Sequence, residues 1–352
     1  MDFLIEDYET ICEDSCVSWE ALCGSTVLVT GATGLVGSFL IKALCHYSRK
    51  NCGNIRIVAL VRSYDKARSV FGALCDEKYL SFITADITKS FAVLGQIDYV
   101  IHGASITASR TMVEHPVQTL ETAIEGTRAI LEIAKKKQIK SMVYISSMEV
   151  YGITDPQKHR IFEKDLGYID VLNPRSSYSE GKRICECLCA AYCSEFGVPV
   201  KIARLAQTFG AGVSKQEARV FAQFAKSALR GEDIVLHTKG ESYGNYCYTA
   251  DVVRALLCIL TKGKNQEAYT VVNEETTMRI REMAQVVAEN ISGGKSKVIF
   301  DIPQNASALG YAPDSTMRLS SQKLRELGWA PQHGLIEMYR RMIAGWNESS
   351  YS

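Results

Sequence analysis

A tyrosine and a lysine spaced four residues apart are well suited to acid–base chemistry. Tyr178 and Lys182 stand in the segment Tyr-Ser-Glu-Gly-Lys. If this segment is helical, the two side chains lie on one face, one turn apart. A cation beside a phenol favours the phenolate, so we expect Lys182 to lower the pKa of Tyr178 toward working pH. A surface Tyr–Lys pair is a common alternative, so the interpretation depends on the surroundings of the motif.

A hydroxyl and a carboxylate precede this pair in the sequence. The apolar run over residues 141–145 predicts a strand, which Ser146 and Ser147 end, and Glu149 follows two residues later. Ser147 is placed to hydrogen-bond a substrate oxygen beside Tyr178. Glu149 could bring an acid–base carboxylate into the same pocket, although a glutamate there can also merely satisfy backbone donors.

Three glycines with regular spacing predict a dinucleotide site. Residues 27–29 form an apolar run, Gly31, Gly34 and Gly37 follow, and a helical segment begins at residue 38. Such glycines let the chain turn sharply, let the backbone approach a pyrophosphate and let the helix pack on the strand. The helix N-terminus then offers free N–H groups to the phosphates. The predicted contacts from this turn are Gly31, Thr33, Gly34, Leu35, Val36 and Gly37.

Strand-like and helical segments alternate beyond this turn. The further predicted strands are residues 55–61, 80–83, 99–101, 141–145 and 200–205. Apolar strands that alternate with helices predict an α/β fold, a Rossmann-type doubly wound parallel sheet. We expect a lead-in helix over residues 1–23, a dinucleotide-binding domain over 24–205 and a smaller, mainly substrate-binding lobe over 206–352. Ligands bind at the carboxyl ends of such strands, and the chain is expected to cross between the two parts.

The composition of the 352 residues narrows the classes of partner. The 40 basic and 39 acidic residues give a net charge of +1, so we expect neither a nucleic-acid nor a membrane partner. No signal peptide or apolar run of membrane-spanning length is visible. The twelve cysteines follow no disulfide or metal pattern, which favours a reducing cytoplasm and no metal. Cys185, Cys189 and Cys193 fit one packed helix face instead.

Together these motifs resemble the extended short-chain dehydrogenase/reductase superfamily, and within it the nucleotide-sugar epimerase/dehydratase family. The resemblance spans nearly the whole chain. It implies that Tyr178 and Lys182 are a catalytic pair that also contacts the cofactor, and that Ser147 is the catalytic hydroxyl. It further implies NAD or NADP as cofactor, a nucleotide-sugar substrate and a homodimer. Outside the glycine turn, the resemblance places cofactor contacts at Asp86, Ile87, Gly103, Ala104 and Ser105.

The subfamily depends on Glu149 and its neighbour. Residues 173–183 look most like UDP-glucuronate decarboxylases and 4,6-dehydratases, which carry a carboxylate at the position of Glu149 for work at sugar C5. Simple 4-epimerases usually lack it. Met148 stands where dTDP-glucose dehydratases carry a proton-donating aspartate, although GDP-mannose 4,6-dehydratases also lack that residue. We therefore expect 4,6-dehydration first, then decarboxylation and then epimerisation, with a non-catalytic NAD(P)-binding sensor as the alternative of another class.

Other departures from the family concern the substrate phosphates and the cofactor. Gly244 aligns with an arginine that usually grips the substrate diphosphate, and Gln207 and Ala123 replace asparagines. The predicted substrate contacts are therefore Arg183, Gln207, Arg219 and Lys239. At the end of the second strand, Arg62 stands in place of an acid that would repel a 2′-phosphate. Arg62 favours NADP slightly while the family favours NAD, so the choice stays open.

Overall fold

A seven-stranded parallel sheet forms the centre of the molecule. The computed structural model describes residues 3–303 and 315–348. The strands of the described residues are β1 Thr26–Thr30, β2 Arg56–Val61, β3 Leu80–Thr84, β4 Tyr99–His102, β5 Ser141–Ser147, β6 Val200–Leu205, β7 Gln207–Phe209, β8 Ile234–Leu236, β9 Tyr243–Tyr248, β10 Ala268–Val271, β11 Asn273–Arg279 and β12 Val298–Phe300. The central sheet has the order β10-β6-β5-β4-β1-β2-β3. The order reverses between β1 and β4, where doubly wound sheets bind their ligands. The predicted fold class is confirmed.

Helices cover both faces of this sheet. They are α1 Phe3–Cys12, α2 Trp19–Leu22, α3 Leu35–Lys50, α4 Tyr64–Phe71, α5 Ser109–Glu114, α6 Pro116–Lys137, α7 Ser177–Phe196, α8 Val220–Arg230, α9 Thr249–Lys262, α10 Ile280–Asn290, α11 Gln322–Arg325 and α12 Leu335–Glu348. One buried apolar cluster includes residues of α3 and α9, and a second includes residues of α6 and α7. Near-continuous apolar strands such as β1 are therefore covered on both sides, as a parallel sheet requires.

The chain after residue 205 contributes to both parts of the molecule. A small sheet of order β11-β9-β7 and the pair β12-β8 lie outside the central sheet. In contrast, β10 pairs with β6 at the edge of the central sheet, and α9 contacts β5 and β6. The segment around residues 268–272, expected from the sequence in the smaller lobe, therefore belongs to the larger part.

The N-terminal segment is fixed by a buried carboxylate. Asp7 on α1 is fully buried, and its Oδ2 accepts a hydrogen bond from the Tyr248 hydroxyl at 2.5 Å. Arg341 on α12 donates to Oδ1 at 2.8 Å. Burial raises the pKa of Asp7 to about 6, although both partners oppose this shift. The segment thereby connects β9 and α12.

Two further expectations bear on surfaces and cysteines. Across residues 3–303 and 315–348, the structure shows no helix long and apolar enough to cross a membrane. On α7, Cys185 and Cys189 are fully buried, Cys193 is half-buried and Cys187 is exposed. The first three therefore form the packed helix face that their spacing predicts.

Candidate active site

The glycine turn after β1 has the shape that a dinucleotide requires. Gly31 has φ +69°, and a Cβ there would lie 2.6 Å from the carbonyl of Gly103. A Cβ on Gly37 would lie 2.3 Å from the oxygen of Gly31, so only glycine lets α3 pack this closely. In contrast, a Cβ on Gly34 would meet only the oxygen of Gly31, at 3.3 Å. Gly34 is exposed and directly precedes α3, so it leaves space where phosphates can approach the amides of the helix.

A buried histidine joins the ends of β1 and β4 behind this turn. Thr30 Oγ1 accepts hydrogen bonds from the amides of Gly103 and Ala104, at 3.2 and 3.1 Å. Its own proton therefore goes to Nδ1 of His102, 2.7 Å away, and Nε2 of His102 donates to Thr127 on α6 at 3.1 Å. Burial, aided by the charge of Lys182, lowers the pKa of His102 to about 3, so the ring is neutral. This network holds Gly103 and Ala104 against the glycine turn.

The predicted cofactor contacts Arg62, Asp86 and Ile87 lie just after β2 and β3. Arg62 is exposed directly after β2, and its charge is close enough to contribute to a lowered pKa of Asp86. The larger cause of that shift is hydrogen bonding to Thr88, whose amide and hydroxyl donate to Asp86 Oδ1 at 2.9 and 2.8 Å. Ile87 is buried and packs against Gly126 of α6. The end of β4 continues into the half-buried Ser105. The turn and these residues together offer a fitting cradle for a dinucleotide.

One stripe of α7 is hydrogen-bonded to the end of β5. Ser179 reaches Glu149 at 3.1 Å, Lys182 Nζ donates to the carbonyl of Ile145 at 2.7 Å, and Glu186 accepts from Ser146 at 2.6 Å. These helix positions follow the i, i+3, i+7 spacing of one face. Ser146, which stood beside Ser147 in the predicted strand end, therefore points into the helix packing and not into the site.

The buried end of this stripe is an ion pair. Arg204 on β6 donates to both carboxylate oxygens of Glu186, with the shortest distance 2.7 Å, and to the carbonyl of Glu163 at 2.6 Å. Both side chains are nearly inaccessible. Glu186 is thus bonded to Arg204 of β6 and to Ser146 of β5. These contacts fix the position of α7 along the sheet.

Tyr178 lies beside Ser147 and Glu149, as the sequence predicts. Burial raises the pKa of Tyr178 to about 12, and the negative charge of Glu149 adds to that rise. A hydrogen bond with the Ser147 side chain and the positive charges of Arg175 and Arg219 oppose it. These groups bring a hydroxyl, a phenol and a carboxylate together at the carboxyl end of β5.

Lys182 is hydrogen-bonded to the backbone of β5 and lies one helical turn from Tyr178. Its Nζ lies 5.9 Å from the centre of the Tyr178 ring and is held by the carbonyl of Ile145. Burial lowers the pKa of Lys182 to about 8, so it still carries a charge near neutral pH. Arg175 and Arg219 are the cations whose charges lower the pKa of Tyr178 most, and the lowering expected from Lys182 stays a prediction.

Arg175, which was not among the predicted site residues, holds Glu149. Its Nη1 and Nη2 donate to Glu149 Oε2 and Oε1 at 3.2 and 3.3 Å. Ser179 donates to Oε2 as a third partner. The signal that could have identified Arg175 is its place three residues before Tyr178, in the turn Pro174–Ser176 that leads into α7.

The four predicted substrate contacts lie in different environments. Arg183 donates to the carbonyls of Val150 and Gly167 at 2.8 and 2.7 Å. Arg219, just before α8, is close enough to influence Tyr178. Gln207 begins β7, and its side-chain oxygen is buried with no hydrogen-bond partner among the described residues. Lys239 is exposed after β8.

Gly244 has no space for an arginine in this structure. A Cβ at Gly244 would lie 2.4 Å from the hydroxyl of Tyr246, two residues along the same strand. The phenol thus fills the volume that a side chain at Gly244 would need. A separate polar cavity of about 520 Å³ lies among His159, Arg160, Tyr243 and their neighbours and contains none of the predicted site residues.

The fold and this arrangement define a dinucleotide-binding enzyme with a Tyr–Lys pair, and comparisons with known proteins agree. Residues 27–273 match the model of the NAD dependent epimerase/dehydratase family. The chain is 28% identical to UDP-glucuronic acid decarboxylase 1 of Xenopus tropicalis over 323 residues, which cover 90% of this chain and 71% of that protein. The chain therefore belongs to the NAD dependent epimerase/dehydratase family, within the extended short-chain dehydrogenase/reductases.

Solved structures share the fold. The UDP-glucose 4-epimerase of Thermotoga maritima, solved with UDP-glucose, has a TM-score of 0.76 and 22% identity, over 92% of this chain and 99% of that one. The dTDP-glucose 4,6-dehydratase of Streptomyces venezuelae, solved with NAD, has a TM-score of 0.74 and 20% identity, over 93% and 98% of the two chains. The similar proteins thus include a decarboxylase, an epimerase and a dehydratase.

Proposed function

We propose that this protein modifies a nucleotide-linked sugar by transient oxidation at C4, followed by chemistry at C5. The observation that carries the proposal is the cluster of Ser147, Tyr178 and Glu149 at the end of β5, at the same edge of the central sheet as the glycine turn. A nicotinamide dinucleotide, when bound, accepts a hydride from the sugar and later returns it. A site for hydride transfer alone needs the phenol but has no use for the second base that Glu149 provides.

Each residue has a separate task in this mechanism. Tyr178 takes the proton of the C4 hydroxyl, while Ser147 orients the C4 oxygen through its hydroxyl. Lys182 supplies a buried positive charge on the cofactor side of Tyr178. The resulting 4-keto group makes the C5 proton acidic, and Glu149 removes that proton. The unpartnered oxygen of Gln207 and the guanidinium of Arg219 are the proposed contacts to the rest of the substrate.

Loss of water is the outcome that we place first. Glu149 can take the C5 proton and pass it to the C6 hydroxyl, which leaves as water and gives a C5–C6 double bond. The hydride would return from a bound nicotinamide to C6, and a solvent proton delivered to C5 through Glu149 would complete a 4-keto-6-deoxy sugar. This route uses one carboxylate as base and then as acid. It does not require an acid at Met148, whose side chain packs beside the buried cluster around Val150 and Tyr151.

Decarboxylation is the second candidate, because a specific observation favours it. The relative described above is a UDP-glucuronic acid decarboxylase and aligns with 90% of this chain. On a 4-keto sugar acid, the carboxylate at C5 leaves as carbon dioxide, and the electron pair passes to the C4 ketone. The protonated form of Glu149 is the proposed donor of a proton to C5. The hydride would then return to C4, and the proton held by Tyr178 would return to the C4 oxygen, to complete the product.

Mass spectrometry of products separates the outcomes. The purified protein is incubated with UDP-, GDP- and dTDP-linked sugars, including a sugar acid. Loss of water, loss of carbon dioxide and an unchanged mass identify dehydration, decarboxylation and epimerisation. No product from any sugar, with normal dinucleotide binding, would contradict the proposal and favour a non-catalytic sensor.

Two variants test the assignment of the bases. Glu149→Gln keeps the shape of the side chain and removes its basicity. It should still reduce the bound nicotinamide but should lose exchange of solvent deuterium into C5. The matched control Tyr178→Phe should lose both signals while its dinucleotide affinity stays nearly unchanged. Wild-type turnover by Glu149→Gln would refute C5 chemistry through this residue.

A further inference from the structure

The Glu149 carboxylate is held by three donors at the edge of the site. Arg175 contributes two of them in a fork, and Ser179 contributes the third. The backbone of Arg175 is itself fixed, because its amide donates to Asn173 Oδ1 at 3.0 Å. Fork-shaped contacts of this type set the direction of a carboxylate as well as its charge. One of the four lone pairs of the carboxylate stays available for a proton.

The same pair faces the phenol of Tyr178 with opposite effects. The charge of Glu149 raises the pKa of Tyr178, and the charge of Arg175 lowers it. A phenolate at Tyr178 and the carboxylate of Glu149 would repel each other, and each would oppose ionisation of the other. A cation bonded to Glu149 and near Tyr178 opposes that repulsion.

We propose that Arg175 is a positioning residue that holds Glu149 beside Tyr178 and balances its charge, so that two anionic bases can serve the same sugar. The part that concerns C5 rests on the function proposed above. The part that concerns the charge balance at Tyr178 does not, because it holds for any reaction that begins with the phenolate.

The other cations near Tyr178 are bonded to groups other than Glu149. Arg219 also lowers the pKa of Tyr178, but its ion-pair partner is Glu217, at 2.7 Å. Lys182 lies on the same helix, one turn away, and bonds to the carbonyl of Ile145. The remaining neighbours, Ser147 and Tyr144, are uncharged near neutral pH. Arg175 is therefore the cation near Tyr178 that is bonded to the second base, Glu149.

Charge substitutions of the pair test the proposal without any substrate. The readout is phenolate absorbance at one alkaline pH below the midpoint, taken as the difference between each variant and the same variant carrying Tyr178→Phe. Arg175→Met should lower the phenolate fraction on the order of threefold to tenfold, and Glu149→Gln should raise it similarly. The double variant should return to within about twofold of wild type. An unchanged fraction in Arg175→Met, or a double variant as low as Arg175→Met, would overturn the charge balance.

A conservative variant separates the fork from the charge. Arg175→Lys keeps the charge and loses the fork, so its phenolate fraction should match wild type while deuterium exchange into C5 falls on the order of tenfold. Melting temperature and dinucleotide affinity report on folding in all variants. Full exchange at C5 in Arg175→Lys would refute the positioning role. If wild type shows no exchange at C5, the proposed C5 chemistry fails, and with it the positioning role, while the phenolate series still decides the charge balance.

Discussion

Replacing His102 with glutamine should make the free energy of unfolding less dependent on pH between about pH 5 and pH 7.5, because the buried His102 ring is neutral in the folded protein. The folded protein holds His102 neutral with a pKa of about 3, whereas an unfolded histidine has a pKa of about 6.5. Below about pH 6.5 the unfolded chain therefore binds a proton that the folded chain does not. The free energy of unfolding falls with pH in that range, by about 1.4 kcal/mol per unit, until the folded pKa is reached. Between about pH 7.5 and pH 5 the loss from this group is about 2 kcal/mol.

Urea unfolding at the two pH values measures this loss. Wild type should lose about 2 kcal/mol more than His102→Gln on going to the lower pH. Other groups titrate over this range, but they contribute equally to both proteins and cancel in the comparison. The variant should be less stable at the higher pH, because glutamine cannot reproduce the bonds to Thr30 and Thr127. Equal losses in the two proteins would refute the assignment of a buried, neutral His102.

Three further outcomes follow from the geometry. Gly34→Val should weaken dinucleotide binding on the order of 100-fold by calorimetry with the fold kept, whereas Gly37→Ala should unfold at much lower urea, because its Cβ would meet the backbone. Arg62→Ala should weaken NADP on the order of tenfold more than NAD, and an equal effect on both would leave only stacking on adenine. Arg204→Met should cost about 3–5 kcal/mol of stability by leaving Glu186 buried and unpaired, and adding Glu186→Gln should recover much of it.

The sequence predicts those parts of the fold that depend on local pattern. Apolar runs identify the first six strands of the central sheet, and the glycine spacing identifies the turn after β1. The place of β10 in the central sheet cannot be predicted from its local sequence. Its residues become the seventh strand because they pair with β6, more than 60 positions earlier in the chain. Such pairing depends on the surface left exposed by the other strands, which no local window contains.

The candidate site also has a part that the sequence predicts and a part that it does not. Ser147, Glu149 and Tyr178 could be predicted to meet, because the end of a strand and the start of the next helix lie at one edge of a parallel sheet. The hydrogen-bond partner of each of these side chains could not be predicted from the sequence. Arg183, a sequence candidate for phosphate, is bonded to two backbone carbonyls, whereas Arg175 enters the site. Which of two nearby arginines faces a ligand depends on helix rotation, and tertiary contacts set that rotation.

The buried ion pair explains how the rotation of α7 is set. Glu186 is fixed by Arg204 and Ser146, deep between the helix and the sheet. Since one face of a helix repeats every three to four residues, this contact also directs Lys182 and Ser179 toward the end of β5. Tyr178 precedes Ser179 and therefore projects beside that face, toward the edge of the sheet where Ser147 lies. A change in the depth of the Arg204–Glu186 pair would shift α7 and move the Tyr178 phenol away from the Ser147 hydroxyl. This ion pair, two helical turns from Tyr178, therefore governs the geometry of the bases.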